Sequence, residues 1–320
     1  YFAIAGGNNE IVRILEQKGI SFDECFEYGV KFNRMELCDW LLMHTKCESI
    51  SLSMSLTYFN YPAFFFTMIN ERLYKDALHV ATEKCNFDII KYLIEECNVD
   101  ANFTDNYGRK IFYMAAKKCN IEVFNYFIEH CPLNDNLVEY NVNESLKTAS
   151  EHGNIEMVKF LIEQCHAKVE TEDCGGTTPL IFASKNGHLE VAKYLVEQCA
   201  ANFEARNHAC MNSLQYASEE GHLEVVKYLI EQCHLNARVK NYDGNTLLHL
   251  ASSNGHLEVI KYLFEECHLN VKAKNNDKDT PLHKASRKGH IEVIKYLIEE
   301  CHVNVEAKNK NGRTALHVAS

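Results

Sequence analysis

The sequence predicts an all-α solenoid, in which short helix-turn-helix units stack side by side and are joined by β-hairpin or finger loops. Three observations support this fold class. The chain of 320 residues repeats itself with a period of 34, it contains recurring amphipathic stretches with helical spacing, and only 4 Pro and 14 Gly interrupt it. A fixed period between about 20 and 50 residues is typical of repeat proteins, whose units bury their apolar faces against one another.

The period is visible in columns of equivalent residues, in which an anchor position is followed five residues later by Ala. The anchors are Asp76, Lys110, Glu144, Thr178, Asn212, Thr246, Thr280 and Thr314. The alanines are Ala81, Ala115, Ala149, Ala183, Ala217, Ala251, Ala285 and Ala319. An Ala at this spacing in every unit fixes the frame of the repeat.

Each unit is predicted to begin with a short first helix. In the unit that starts at Thr280, the hydroxyl of Thr280 can cap a helix N-terminus. Pro281 suits the first helical position, where its missing N–H is no loss. Gly289 then indicates a turn to a second helix.

The second helix is predicted to be amphipathic, and an extended loop follows it. In residues 291–299 charged side chains lie opposite an apolar face formed by Val293, Ile294, Leu297 and Ile298. From 302 to 313 polar residues alternate with apolar ones, and the loop ends in Asn-Gly, which is a tight-turn signal. We expect this loop to form a finger between consecutive helix pairs.

These motifs resemble the ankyrin repeat. The resemblance rests on Thr280-Pro281-Leu282-His283, on Gly289-His290 and on the Glu-Val-Ile-Lys-Tyr-Leu sequence of the second helix. It covers residues 74–320, with complete motifs from Thr178 onward and degraded motifs before.

Three features depart from the ankyrin pattern. Cys replaces the family's glycine after helix two, the loop is one residue longer than in the common unit of about 33 residues, and the Pro column survives only at Pro179 and Pro281. These departures leave the conformation of the turn after helix two open.

The first 73 residues do not carry the period of 34. Residues 7–15 nevertheless repeat the turn and second-helix pattern of 153–161, and weaker echoes continue to Phe66. We interpret 1–73 as degenerate, fingerless helical hairpins and 74–320 as repeats of period 34 with the last one truncated. Because the chain starts without Met and stops inside a unit, we expect it to be a fragment.

Fourteen Cys raise the question of disulfides or metal sites. Cα atoms of equivalent residues in neighbouring units should lie about 8–10 Å apart, beyond the limit of about 7 Å for a disulfide. We therefore expect buried, reduced thiols at the end of helix two, and a thiol or zinc-binding role is kept as a minor alternative. The column contains Cys97, Cys131, Cys165, Cys199, Cys233, Cys267 and Cys301, and Cys85 and Cys119 occupy the inter-helix glycine column.

Histidine also follows the repeat. Adjacent Cys-His pairs resemble zinc ligands, but no Cys-x2-Cys or His-x3-His pair supplies two ligands from one turn, so no metal site is predicted. By resemblance to ankyrin repeats, the turn column and the first-helix column are hydrogen-bonding framework. The turn column contains His188, His222, His256 and His290, the first-helix column contains His79, His249, His283 and His317, and His166, His234, His268 and His302 follow a column Cys.

An aromatic column within helix two is expected to pack between repeats and not to form a base-stacking ladder. It contains Tyr92, Tyr126, Phe160, Tyr194, Tyr228, Tyr262 and Tyr296.

Composition excludes several functions. The chain carries 44 acidic and 33 basic residues, a formal charge of -11, which argues against nucleic acid or anionic lipid as the main ligand. No apolar run reaches the roughly 18 residues of a membrane span, and no nucleotide-binding, hydrolase or metalloprotease motif occurs. We expect no enzymatic activity and no cofactor, and a cytoplasmic, monomeric protein.

Function is expected where the units differ in sequence although the fold places them equivalently. Two sets qualify, the finger tips and the ends of the first helices, which line the concave binding surface of ankyrin repeats. The alternative is solvated variation without a function. The candidate partner-binding residues are Tyr107, Arg109, Lys117, Lys118, Lys185, Asn186, His208, Met211, Glu219, Glu220, Tyr242, Asp243, Asn245, Asn276, Asp277, Arg287, Lys288, Lys310 and Arg313.

The loops between each column Cys and the next anchor differ in charge. The formal charge is -3 for 132–144, -2 for 166–178, +1 for 234–246 and for 268–280, and +2 for 302–314. We hypothesise a partner with the opposite gradient.

The predicted function is a non-enzymatic scaffold that binds another protein along the concave surface. The main alternative is a regulatory or docking arm of a larger enzyme or channel whose functional domain lies outside this chain. The repeat pattern does not identify the partner, since such scaffolds serve many unrelated ones.

Overall fold

A computed structural model describes residues 74–100, 111–118, 120–130 and 135–319. Within these ranges the regular secondary structure consists of fifteen α-helices, which confirms the all-α prediction. Region 1–73 and the finger candidates Tyr107 and Arg109 lie outside the described residues.

The chain divides into two compact units between Val138 and Glu139. The described helices before this division are α1 (Tyr74–Glu83), α2 (Phe87–Glu95), α3 (Ile111–Lys117) and α4 (Ile121–His130). In this unit α1 packs against α2 and α3, and α3 packs against α4.

The second unit contains five helix pairs and the start of a sixth. The pairs are α5 (Asp135–Glu151) with α6 (Ile155–Glu163), α7 (Pro179–Lys185) with α8 (Leu189–Glu197), α9 (Ser213–Glu220) with α10 (Leu223–Glu231), α11 (Leu247–Asn254) with α12 (Leu257–Glu265), and α13 (Pro281–Lys288) with α14 (Ile291–Glu299), and α15 (Ala315–Val318) follows. From α7 onward, consecutive first helices approach each other more closely than consecutive second helices do.

The first helices begin at the predicted caps. Thr178 accepts a hydrogen bond from the Ile181 N–H at 3.4 Å, and Pro179 occupies the first turn of α7. At α9 the cap is Asn212, whose amide oxygen accepts from the N–H of Gln215 at 3.0 Å, while the Gln215 side chain accepts from the N–H of Asn212 at 3.1 Å. This reciprocal pair satisfies two N–H groups that the helix cannot bond internally.

The first helices end at the predicted glycines. Gly255 has φ 83° and Gly289 has φ 72°, in the left-handed region that favours glycine. Gly255 is also needed for space, since a Cβ there would lie 2.7 Å from Nδ1 of His290 in the next repeat. The turn therefore combines a special backbone conformation with close packing between repeats.

The turn after helix two differs from the glycine turn of the family pattern. The Cys233 N–H donates to the Tyr228 carbonyl at 3.2 Å, and the Leu235 N–H donates to the Leu229 carbonyl at 3.0 Å. The residue between them, His234, is left-handed with φ 54°. Because of the extra residue, the left-handed conformation is adopted by the residue after the Cys and not by the glycine of the family pattern. These left-handed residues are Asn98, His166, Ala200, His234, His268 and His302.

The prediction of buried thiols at the end of helix two was wrong for most of the column. Cys301 is buried, whereas Cys97, Cys165, Cys199, Cys233 and Cys267 are half-buried. The turn therefore leaves most of these cysteines partly exposed. The nine cysteines in the described ranges are not in disulfides.

The apolar face of helix two is only partly as predicted. Val293 and Leu297 are buried, but Ile298 is 38% exposed. The equivalent residues Ile230 and Phe264 pack against the core cluster of the stack. Ile298 is more exposed because no further second helix follows α14 in the described part of the chain.

Helix α5 corrects the prediction of a finger in 132–144. It begins at Asp135 and runs for 17 residues, so most of that segment is helical. Gly176, Gly244 and Gly312 lie in the fingers of later repeats, whereas no Gly or Pro occurs between 135 and 151 to end the helix.

The fingers contain no β-strand within the described residues. Instead, each is a tight turn that the side chain at its first position closes. In finger 241–245, the Asn241 N–H donates to the Asn245 carbonyl at 3.1 Å, and the Asn241 side-chain oxygen accepts from the N–H groups of Asp243 at 3.1 Å and Asn245 at 2.9 Å. One backbone pair is too short for a ladder, so the predicted β-hairpin is reduced to an Asn-closed turn.

Candidate functional site

Backbone hydrogen bonds join finger 173–177 to finger 207–211, and they join fingers 241–245, 275–279 and 309–313 in series; we call this row of fingers the finger edge. The His208 N–H donates to the Gly175 carbonyl at 2.8 Å, and the Asn276 N–H donates to the Asp243 carbonyl at 3.0 Å. The Lys310 N–H donates in the same way to the Asp277 carbonyl at 2.7 Å. Exposed side chains from different repeats are therefore held at fixed positions relative to one another.

Sequence reasoning missed the asparagine column that supports this edge. The Asn275 amide donates to the Asn245 side-chain oxygen at 2.8 Å, and the Asn309 amide donates to the Asp279 carboxylate at 2.9 Å. The signal was present in the sequence, because a residue with a side-chain carbonyl lies five positions before each anchor, at Asp173, Asn207, Asn241, Asn275 and Asn309.

Two first-helix histidines, His249 and His283, bond the finger of the next repeat, in keeping with the hydrogen-bonding role that the resemblance implied. The Thr246 N–H donates to Nδ1 of His249 at 3.2 Å. Because Nδ1 accepts, Nε2 carries the proton, and it donates to the Asp279 carbonyl of the next finger at 2.9 Å. Burial lowers the pKa of His249 to about 4, although the bond to the Asp279 carbonyl opposes this effect. The imidazole is therefore neutral near pH 7.

The turn histidines fix the ends of the first helices. Nε2 of His222 lies 2.9 Å from the Lys185 carbonyl, and Nε2 of His290 lies 2.9 Å from the Ser253 carbonyl. Each histidine thus holds the last turn of the preceding first helix, where eight of the nineteen candidate residues are located. The prediction that this column is hydrogen-bonding framework is confirmed.

Candidate residues of two repeats meet around one cavity of about 530 Å³. Tyr242 is 82% exposed and stands at its rim. The cavity lies between finger 207–211, finger 241–245 and helix α9, and it is lined by His208, Ala209, Met211, Tyr216, Glu219, Asn241, Tyr242 and Asp243.

The cavity is acidic. Burial and the neighbouring Glu220 raise the pKa of Glu219, and Lys185 opposes this rise. Lys185 also places its Nζ 5.4 Å from the centre of the Tyr216 ring. Asp243 adds a second carboxylate to the lining.

A second cavity of about 500 Å³ lies further along the same edge and is basic. Its lining includes Arg287, Arg313 and His317. Arg287 is engaged within the chain, since its guanidinium contacts the buried Asp279 carboxylate at 2.9 Å. Burial alone would raise the pKa of Asp279, but the bonds from Asn309 and Arg287 hold it below its ordinary value.

The remaining candidates divide into exposed and buried residues. Met211 and Asn245 are buried, and Asn245 accepts from Asn275, so both contribute to the framework of the fingers. In the first unit Lys117 and Lys118 are exposed at the end of α3. The exposed candidates of the second unit, outside the two cavities, are Lys185, Asn186, Glu220, Asn276, Asp277, Lys288 and Lys310.

The aromatic column of helix two packs between repeats, as predicted, at the three positions where its tyrosines are most buried, Tyr126, Tyr228 and Tyr262. The hydroxyls of Tyr228 and Tyr262 donate to Glu197 at 3.1 Å and to Glu231 at 2.8 Å. Burial and the accepting carboxylate raise the pKa of each phenol. These rings are not available for stacking on bases.

Two negative observations apply to the described residues. None of their His, Cys, Asp and Glu side chains form a group of three that could hold a metal ion. Of the helices in these ranges, none combines the length and the apolar character that crossing a membrane requires.

Comparison with known proteins identifies the family. A family profile described as ankyrin repeats in three copies matches residues 28–138, 114–207, 199–275 and 266–320. The chain belongs to the ankyrin-repeat family. Ankyrin repeats are typically protein interaction modules without catalytic activity. The first match begins within the predicted region of degenerate hairpins.

The chain was also compared with curated proteins and with solved structures. Comparison with curated proteins gave no significant match. Among solved structures, the chain is similar to one chain of the complex between a predatory endopeptidase from Bdellovibrio bacteriovorus and an immunity protein. The identity is 27%, the alignment covers 54% of this chain and 89% of the other, and the TM-score is 0.47.

Proposed function

We propose that this ankyrin-repeat chain binds a protein partner along the concave surface, which we define as the exposed finger tips and first-helix ends of the second unit. The observation that carries the proposal is the cavity of about 530 Å³ between two fingers. His208, Glu219, Tyr242 and Asp243 come from two repeats, yet they line one site. A large exposed aromatic beside a cavity is typical of an interface anchor.

The charges along this surface support a partner of mixed charge. Glu219 and Asp243 make the first cavity acidic, and Arg313 makes the second one basic, since the charge of Arg287 is paired with Asp279. A partner with a basic segment at the first cavity and an acidic segment at the second would be complementary.

Binding at a surface is favoured over thiol or zinc chemistry by the state of the column cysteines. Burial raises the pKa of Cys165 to about 11, and it also raises the pKa of Cys233 and Cys267. A thiol with a raised pKa is protonated near pH 7 and is a poor nucleophile and metal ligand.

Affinity capture with two exposed-residue variants tests the proposal. Native lysate is passed over the wild-type chain, Tyr242→Ala and Ile291→Ala, and the bound proteins are identified by mass spectrometry. Ile291 is the control because it is 62% exposed but lies on the second helix α14 and lines neither cavity. We expect wild type and Ile291→Ala to retain the same partner and Tyr242→Ala to lose about 90% of it, the loss expected for a hot-spot residue worth at least about 1.4 kcal/mol. Equal recovery by all three chains would contradict the proposal.

A further inference from the structure

The acidic cavity combines the groups that recognise a planar cation. Its lining holds two tyrosine rings, Tyr216 and Tyr242, and two carboxylates, Glu219 and Asp243. A guanidinium stacks on an aromatic ring and bonds a carboxylate through two parallel N–H groups. We propose that this cavity binds an arginine side chain of the partner. The inference rests on the proposed function, because it names the side chain that the concave surface receives.

The charge balance around the cavity favours a cation. Glu219, Glu220 and Asp243 are acidic, and Lys185 is the basic residue that interacts with Glu219. Burial raises the pKa of Glu219 in spite of Lys185, so its ionised form is incompletely compensated. An added positive charge within a few ångströms stabilises that ionised form.

One of the two rings already has a cation beside it. Nζ of Lys185 lies 5.4 Å from the centre of the Tyr216 ring, within the range of a cation–π contact. Tyr242 is 82% exposed, so most of its ring surface is open to a group that arrives from outside. A partner's guanidinium can therefore stack on Tyr242 while Lys185 keeps its place.

The remaining lining fits the rest of an arginine side chain. Met211 and Ala209 supply apolar surface for the three methylene groups that carry the guanidinium. Lysine offers the same charge but neither the flat face nor the fixed fork of donors, so the cavity should prefer arginine.

Methyl spectroscopy on the full chain provides the test. The chain has seven methionines, so selective ¹³C labelling of their methyl groups gives a simple spectrum in which Met211→Leu assigns the signal that reports on the cavity. The probe is N-acetylarginine amide, and the matched probes are the neutral citrulline and the lysine derivatives. We expect arginine to shift the Met211 signal saturably, lysine more weakly and citrulline not at all.

Variants locate the interaction. Tyr242→Ala should weaken the arginine response about fivefold, the loss of a cation–π contact of about 1 kcal/mol. Glu219→Gln should weaken it as well, whereas Ile291→Ala, an exposed position outside the cavity, should not change it. Because Tyr242 is exposed, its truncation leaves the core intact.

The outcomes separate this inference from the function on which it rests. An equal response to arginine and citrulline, or no response to arginine, would overturn it, and an equal response to lysine would overturn the choice of arginine. If arginine fails but Tyr242→Ala still abolishes partner capture, the concave surface binds the partner through other groups. If Tyr242→Ala leaves capture unchanged, the proposed function itself is wrong.

Discussion

Individual residues show how one framework position can be filled in different ways. His249 bonds Thr246 within its own repeat and the Asp279 carbonyl of the next one. In the preceding repeat Asn212 and Gln215 form the same local pair with side chains that do not titrate. The two repeats therefore differ in their expected response to pH.

The pair Thr246 and His249 should make folding pH-dependent. The folded-state pKa of His249 is about 4, below its ordinary value of 6.5, so the stabilisation is fully present above pH 6.5 and is lost as the pH falls towards 4. The double variant Thr246→Asn/His249→Gln copies the Asn212 and Gln215 pair. Between pH 7.5 and pH 5, wild type should lose about 2 kcal/mol more unfolding free energy than the variant, measured by urea denaturation. Equal losses would show that His249 is not the titrating group.

At the scale of residues, the sequence predicted the helix caps and turns, because each recurs in several repeats and has a simple chemical cause. The caps at Thr178 and Asn212 follow from side-chain oxygen at the anchor, and the glycine turns follow from the need for positive φ. The left-handed conformation of His234 could not be predicted, because a one-residue insertion does not reveal which residue of a loop absorbs it. The role of Asn241 in closing the finger turn depends on the backbone geometry of that turn, which the sequence repeat does not reveal.

At the scale of elements, the turns between helices hold neighbouring repeats together. Gly255 and Gly289 end equivalent first helices, and both have positive φ. A Cβ on Gly255 would lie 2.7 Å from Nδ1 of His290, whereas a Cβ on Gly289 would meet nothing within 4 Å. The pair thus separates backbone strain from packing between repeats.

Alanine at the two glycines should have unequal effects. Gly289→Ala should lower the free energy of unfolding by about 1 kcal/mol, the usual cost of a left-handed alanine. Gly255→Ala should cost about 1 kcal/mol more, because the new methyl group displaces His290 from the Ser253 carbonyl. Urea denaturation of both variants measures the difference, and equal midpoints would mean that the histidine contact contributes nothing.

The ends of helices were predictable where glycine recurs in the repeat. Gly176, Gly244 and Gly312 lie in turns that separate one helix pair from the next. The extended helix α5 escaped prediction because the period of 34 implied a finger where the local sequence has no residue to end a helix. Local chemistry decided this boundary against the periodic pattern.

At the scale of the whole molecule, the sequence predicted the family and the location of variable residues, but it did not predict which of them act together. The charge gradient was summed over whole loops, and these contain residues on two different surfaces of the stack. Arg238, for example, lines a groove between α10 and α12 on the side of the second helices. The structure instead shows an acidic cavity around Glu219 and a basic one around Arg313. These two cavities, and not the summed loops, define the charge that a partner meets.

The central claim is that the partner contacts the finger edge of the stack, and site-specific photo-cross-linking tests it most directly. A benzophenone amino acid replaces Tyr242 in one chain and Ile291 in another, and each is irradiated with the captured partner. We expect a covalent adduct from position 242, which lines the acidic cavity, and none from position 291, which is exposed on the second helix α14. An adduct from position 291 alone would place the partner on the second helices and contradict the account.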